Sequence, residues 1–194
     1  MMRRIVLCTA MAAATLVALA AAPAGAATGG GAKGGGATAG VATGGAASGE
    51  GGGGWERWPS ASFDLPAGAR CDFPVHLEPV VDQVLRRVLE ADADGTVRRA
   101  AFKGALVMRL TNTVTGAWYD ADAGGRSVVD YRPDGSQTWR AHGPILLGFA
   151  EHRGNLPRDL YTVDGSYTVD IDATGYRTLT MRHGTAEPLC RLVG

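Results

Sequence analysis

From Phe102 to the C-terminus no apolar run goes far before a turn signal interrupts it, and that rhythm sets the fold class. The signals are Asn112 with Thr115-Gly116, Gly124-Gly125, Asp134-Gly135, Gly143-Pro144, Asp164-Gly165, Thr174-Gly175 and His183-Gly184. Glycine accepts positive φ without steric cost and aspartate bonds its own backbone, so such pairs suit hairpin turns. Between them side chains alternate. Leu106, Met108 and Leu110 share one face, as do Tyr167, Val169 and Ile171, and then Leu179 and Met181 behind Tyr176. Period two marks strands with one buried face. Strand and helix patterns do not alternate, so the expected fold is mainly β, an antiparallel meander forming a barrel or a sandwich.

One segment resists that reading. Val81, Val84, Leu85, Val88 and Leu89 recur at i, i+3, i+4, i+7 and i+8, the spacing of a helical stripe. An Asp94-Gly95 turn follows, and Thr96 to Phe102 could return as a hairpin partner. The pattern alone leaves strand and helix open here.

The domain occupies only part of the 194 residues. Residues 1–26 carry Arg3 and Arg4, an apolar stretch from Ile5 to about Ala22, and small residues Ala24-Gly25-Ala26. That is the pattern of a signal peptide cut before Ala27, so the chain is expected to be secreted, extracellular and without integral membrane association. Residues 27–54 hold 14 glycines and 7 alanines, too little side chain to repay ordering, and are expected to form a flexible linker. The globular domain is then residues 55–194. Trp55 and Trp58, beside the linker, are expected to fold back over a barrel mouth or a sheet edge.

Cleavage removes Cys8 and leaves Cys71 and Cys190, an even pair that in an exported protein predicts a disulfide. Losing Arg3 and Arg4 leaves 17 basic against 19 acidic residues. The near-neutral balance lacks the basic excess that nucleic acid or an anionic membrane demands.

Cys71-Asp72-Phe73-Pro74-Val75, Leu110-Thr111-Asn112 running into Thr115-Gly116, Pro133-Asp134-Gly135-Ser136 and the closing Cys190 resemble a group of small secreted actinobacterial proteins of uncharacterised function. The resemblance spans roughly residues 70 to 192. It implies an all-β domain whose ends are joined by the cysteine pair, and a strand over Val84 to Glu90. It carries over no catalytic residue.

Groups able to do chemistry are scattered. His76, His142, His152 and His183 form no metal-ligand spacing, and each is expected at the surface or in a turn. Ser136 and Ser166 follow Asp-Gly turns rather than standing in a nucleophile motif. Asp92 with Asp94, Asp120 with Asp122, and Asp170 with Asp172 precede glycines, which fits solvated turns better than calcium loops. No metal or cofactor is expected. Trp118, Tyr131 and Trp139 are the candidate ligand-binding residues, because aromatic faces are apolar and their edges form hydrogen bonds. Trp118 and Tyr119 must point to opposite faces of a strand.

These observations point first to a secreted module binding a small molecule or a cell-envelope component. A surface interaction protein without a small ligand is the second reading. A hydrolase or isomerase using Asp, Glu and His from distant strands is the third.

Overall fold

A computed structural model describes residues 54–194. The expected signal peptide, Cys8 and all but the last residue of the linker lie outside the described residues. Two short strands, β1 (Glu56–Arg57) and β2 (Phe63–Leu65), precede a meander of long arms. Each of the first four arms is two strands joined at a bend: β3 (Val75–Asp82) with β4 (Leu85–Ala91), β5 (Val97–Lys103) with β6 (Leu106–Asn112), β7 (Trp118–Asp122) with β8 (Arg126–Tyr131), and β9 (Gln137–His142) with β10 (Ile145–Phe149). The last two arms are the unbroken β11 (Asp159–Ile171) and β12 (Arg177–Pro188), followed by one helical turn, α1 (Cys190–Val193).

The bends line up across the strands as a seam of glycines. Gly104, Gly143, Gly165 and Gly184 have φ of +136°, +87°, +128° and +124°, a region that residues with a Cβ rarely enter. Space forbids a side chain as well: a Cβ on Gly104 would overlap the Gln83 carbonyl, and one on Gly125 would lie 2.6 Å from the Pro144 oxygen. Hydrogen bonds carry the sheet through the bend, from Gln83 N to Ala105 O (2.7 Å), Gly125 N to Pro144 O (2.7 Å) and Gly143 N to Gly165 O (2.8 Å). Gly124-Gly125, Gly143-Pro144, Asp164-Gly165 and His183-Gly184 are therefore kinks inside long arms rather than the expected hairpin turns. Positive φ serves both purposes, and only the pairing partner distinguishes them.

The larger sheet, ordered β1-β4-β5-β8-β9-β11-β10 with β12 also paired to β11, is carried through the seam by β11 and β12, with β10 beyond the bend; β2-β3-β6-β7 form the smaller sheet. All of these pairings are antiparallel. The strands do not close into a barrel, so the expected alternatives reduce to two sheets packed on shared cores. One core joins Val75, Leu77, Met108 and Leu110 of the smaller sheet to Leu160, Leu189 and Val193. The other joins Leu147, Phe149, Tyr161 and Val163 to Ala141, Tyr167, Val169 and Leu179 across the bend.

Cys71 and Cys190 form the expected disulfide, with Cα atoms 5.4 Å apart. It ties α1 to the start of the domain. Buried Asn112 holds the other side, its Nδ2 donating to Val193 O (3.0 Å). The segment with helical spacing is strand on both sides of Gln83-Val84. Val81 lies one residue from the end of β3 and Leu85 starts β4, so the stripe straddles a bend, and a bulge between Val88 and Glu90 shifts the alternation again. β1 pairs with β4 at the sheet edge, so the segment holding Trp55 and Trp58 covers an edge and not a barrel mouth. Among the described residues no helix is long and apolar enough to cross a membrane.

Candidate anion-binding face

Side chains of directly paired residues in an antiparallel sheet lie on the same face. Tracing the pairings along the seam of the larger sheet gives one continuous row: Arg57, Leu85, Lys103, Arg126, His142, Ser166 and His183. It contains three cations, two imidazoles and no acid. The next row on that face is Arg87, Ala101, Val128, Arg140, Thr168 and Thr180, again without an acid.

The third row behaves differently. Glu90, Arg99, Asp130, Thr138 and Asp170 follow in order. Arg99 donates to both Glu90 and Asp130, and Arg140 reaches over from the second row to Asp130. Burial alone would raise the Asp130 carboxyl, but its bonds to Arg140 and Arg99 hold it below the ordinary value. Far from the seam, then, charge is neutralised within the sheet. Along the seam it is not, because among the described residues no carboxylate pairs with Lys103 or Arg126. Like charges placed directly opposite are unfavourable in a sheet, so facing Lys103 with Arg126 is a cost to the sheet.

Lys103, Arg126 and His142 also rim an open depression of about 360 Å³ whose remaining lining is Gly104, Gly124, Gly125, Gly143 and Pro144. The glycines are required by the bend, and their consequence is a floor of bare backbone that a ligand can approach closely. Asp122 stands at its margin with Oδ1 held by the Gly124 N–H (2.9 Å). At one end Trp55 stacks on the row, its ring centre 4.2 Å from Lys103 Nζ and 5.3 Å from the Arg87 guanidinium. At the other end the rings of His142 and His183 meet edge to face, 6.5 Å between centres.

A second depression, about 430 Å³, lies between the β8–β9 and β11–β12 turns. Its polar groups are already committed to one another. Asp134 Oδ1 accepts from Ser136 N, and Asp172 Oδ1 from Thr174 and Tyr176. Arg132 donates to the Ser136 and Thr138 hydroxyls, and Thr138 donates to Asp170. The other acidic pairs are similarly engaged: Asp92 with Arg98, Asp94 with Thr96 N, and Asp120 with Arg109. The one compact group of metal-ligand types among the described residues is Cys71, Asp159 and Cys190, and both its sulfurs are in the disulfide.

The three aromatic candidates do not converge. Trp118 is 58 % exposed on the smaller sheet and stacks on Arg109 at 4.3 Å. Tyr131 and Trp139 share a face of the larger sheet, opposite the basic row, since Tyr131 pairs with Gln137 and Trp139 with Val129. Trp139 packs on the second core and donates Nε1–H to Gln137 (2.9 Å). Burial raises the Tyr131 phenol, partly countered by Arg86. Trp118 and Tyr119 do face opposite ways: Trp118 is paired with Thr111 on the outer face, and Tyr119 with the fully buried Leu110.

The histidines separate too. His76 Nδ1 lies 2.7 Å from Asp64 Oδ1, and His152 sits exposed at φ +54°. His142 and His183 are exposed, one of the two expected placements, but stand on strands and not in turns. The basic row nevertheless left a trace in the sequence: Lys103, Arg126, His142 and His183 each adjoin a glycine of the bend. Reading those glycines as turns hid the fact that strand pairing brings their neighbours together. No family model, characterised protein or solved structure matches this chain.

Proposed function

We propose that this protein is an exported, non-catalytic binding module whose sheet face takes an extracellular polymer bearing repeated phosphate or carboxylate groups. The observation that carries the reading is the Lys103–Arg126–His142 row, without carboxylate partners among the described residues, around a glycine-floored depression. The row crosses seven strands in six steps of about 4.8 Å, a track of about 29 Å for an extended chain. Exposed cations in water bind a single anion weakly, so several contacts along one polymer are the means to useful affinity. Overall charge is near zero, so recognition depends on this local face and not on long-range attraction. The signal pattern of residues 1–26 and the resemblance to small secreted actinobacterial proteins support a ligand outside the cell.

Chromatography of the mature protein on immobilised polyphosphate and on immobilised polyglutamate tests the proposal. Wild type is expected to be retained and released by salt, with Lys103→Glu/Arg126→Glu eluting at or near the void volume. Arg109→Ala, on the other sheet, should elute with wild type. Equal retention of wild type and the double variant, or no retention on either matrix, would overturn the reading.

A further inference from the structure

Away from the basic row, two arginines meet around one glycine of β10. Arg177 donates Nη1–H to the Gly148 carbonyl. From the other direction Arg70 closes on the same residue: a Cβ on Gly148 would lie 2.8 Å from Arg70 Nε and 3.3 Å from its Cδ. Glycine at 148 is what lets Arg70 approach.

Neither guanidinium has a carboxylate partner among the described residues. Arg70 makes one side-chain hydrogen bond, Nη1 to the neighbouring Ala69 carbonyl at 2.6 Å, and Arg177 makes the one to Gly148. A guanidinium has five N–H donors, so most of those in the pair are uncommitted. None of the uncommitted nitrogens is sealed from solvent, since the described residues contain no buried side-chain nitrogen or oxygen lacking a partner. Asp159, on the adjoining start of β11, forms no ion pair with either arginine among the described residues, and its Oδ1 accepts the backbone N–H groups of Leu160, Leu189 and Cys190. Asp72 and Glu151 are taken by Arg158. Partial burial lowers the proton affinity of both guanidiniums, and for Arg177 the charge of Arg70 lowers it further. Two like charges are thus held together, half out of water, with donors to spare. Arginine's planar fork suits two-point contact with an oxyanion.

We propose that Arg70 and Arg177 form a receptor for one small oxyanion, a phosphate, sulfate or carboxylate group, separate from the basic row. The test is titration of the disulfide-intact mature protein with inorganic phosphate, sulfate or acetate, against chloride at matched ionic strength. Thermal unfolding and the arginine Nε–Hε NMR signals are followed together. At least one oxyanion should raise Tm beyond chloride and shift the Arg70 and Arg177 signals saturably, and which one does so identifies the group. Lys103→Ala/Arg126→Ala should keep the response. Arg70→Met, which gives up only a bond to its own neighbour, should fold and bind about tenfold more weakly or worse. Gly148→Ala should lose binding with Arg177 still present. Responses no greater than chloride, or undiminished binding by folded Arg70→Met, would overturn the proposal.

Discussion

At the residue scale, Tyr167 shows how the bend is held from inside. Its hydroxyl lies 3.0 Å from Val163 O and 3.3 Å from the carbonyl of Gly143, a bend glycine, and only 2 % of the residue is exposed. Burial, with a smaller contribution from Asp164, pushes the phenol well above its ordinary value of 10.0. In the unfolded chain it ionises near that ordinary value, and in the folded chain it stays protonated. Above about pH 10 the unfolded state therefore binds fewer protons, and stability falls as pH rises. Below that value the contribution is fully present. Tyr167→Phe should cost about 1 kcal/mol at neutral pH through the lost hydrogen bond. The same variant should lose less stability than wild type between pH 9 and 11, measured by urea unfolding. Parallel alkaline profiles would show that the phenol is not the group responsible.

At the element scale the arms are long and locally paired, and the disulfide spans 119 residues to join what the strands leave apart. Cys71→Ala/Cys190→Ala should lower stability by up to about 4 to 5 kcal/mol, the chain-entropy figure for so long a loop. Amide exchange should speed up most in α1, which the disulfide and Asn112 pin from opposite sides. An unchanged denaturation midpoint would contradict this. The alternation along Leu106–Leu110 and Tyr167–Ile171 made strands legible in the sequence, because one face of each is buried and the other is not. The cysteine pair was legible because Cys71 and Cys190 are the two cysteines outside the expected signal segment. The bend was not. A glycine with positive φ looks the same in a turn and in a mid-strand kink, and Val81 to Leu89 mimic a helix because a bend falls within the stripe. The site followed the same rule. Trp118 and Trp139 stood out by chemistry, whereas the basic row exists only once Lys103, Arg126 and His142 are brought side by side by pairing.

For the whole molecule, the seam links fold to function. Bending the meander requires glycines in every arm from Gly104 to Gly184, those glycines leave a bare strip across the larger sheet, and basic residues stand along it. Farther from the seam the charge on that face is neutralised in the Glu90–Arg99–Asp130 ladder, which leaves the strip, with Arg87 beside it, as its cationic feature. The most direct measurement is NMR mapping of a short polyphosphate titrated into the isotope-labelled mature protein. The account predicts saturable shifts centred on Lys103, Arg126 and His142 and on the amides of Gly104, Gly125 and Gly143, weakening as salt is added. Shifts centred on the Asp134–Asp172 depression or around Trp118, or no saturable shifts at all, would contradict it.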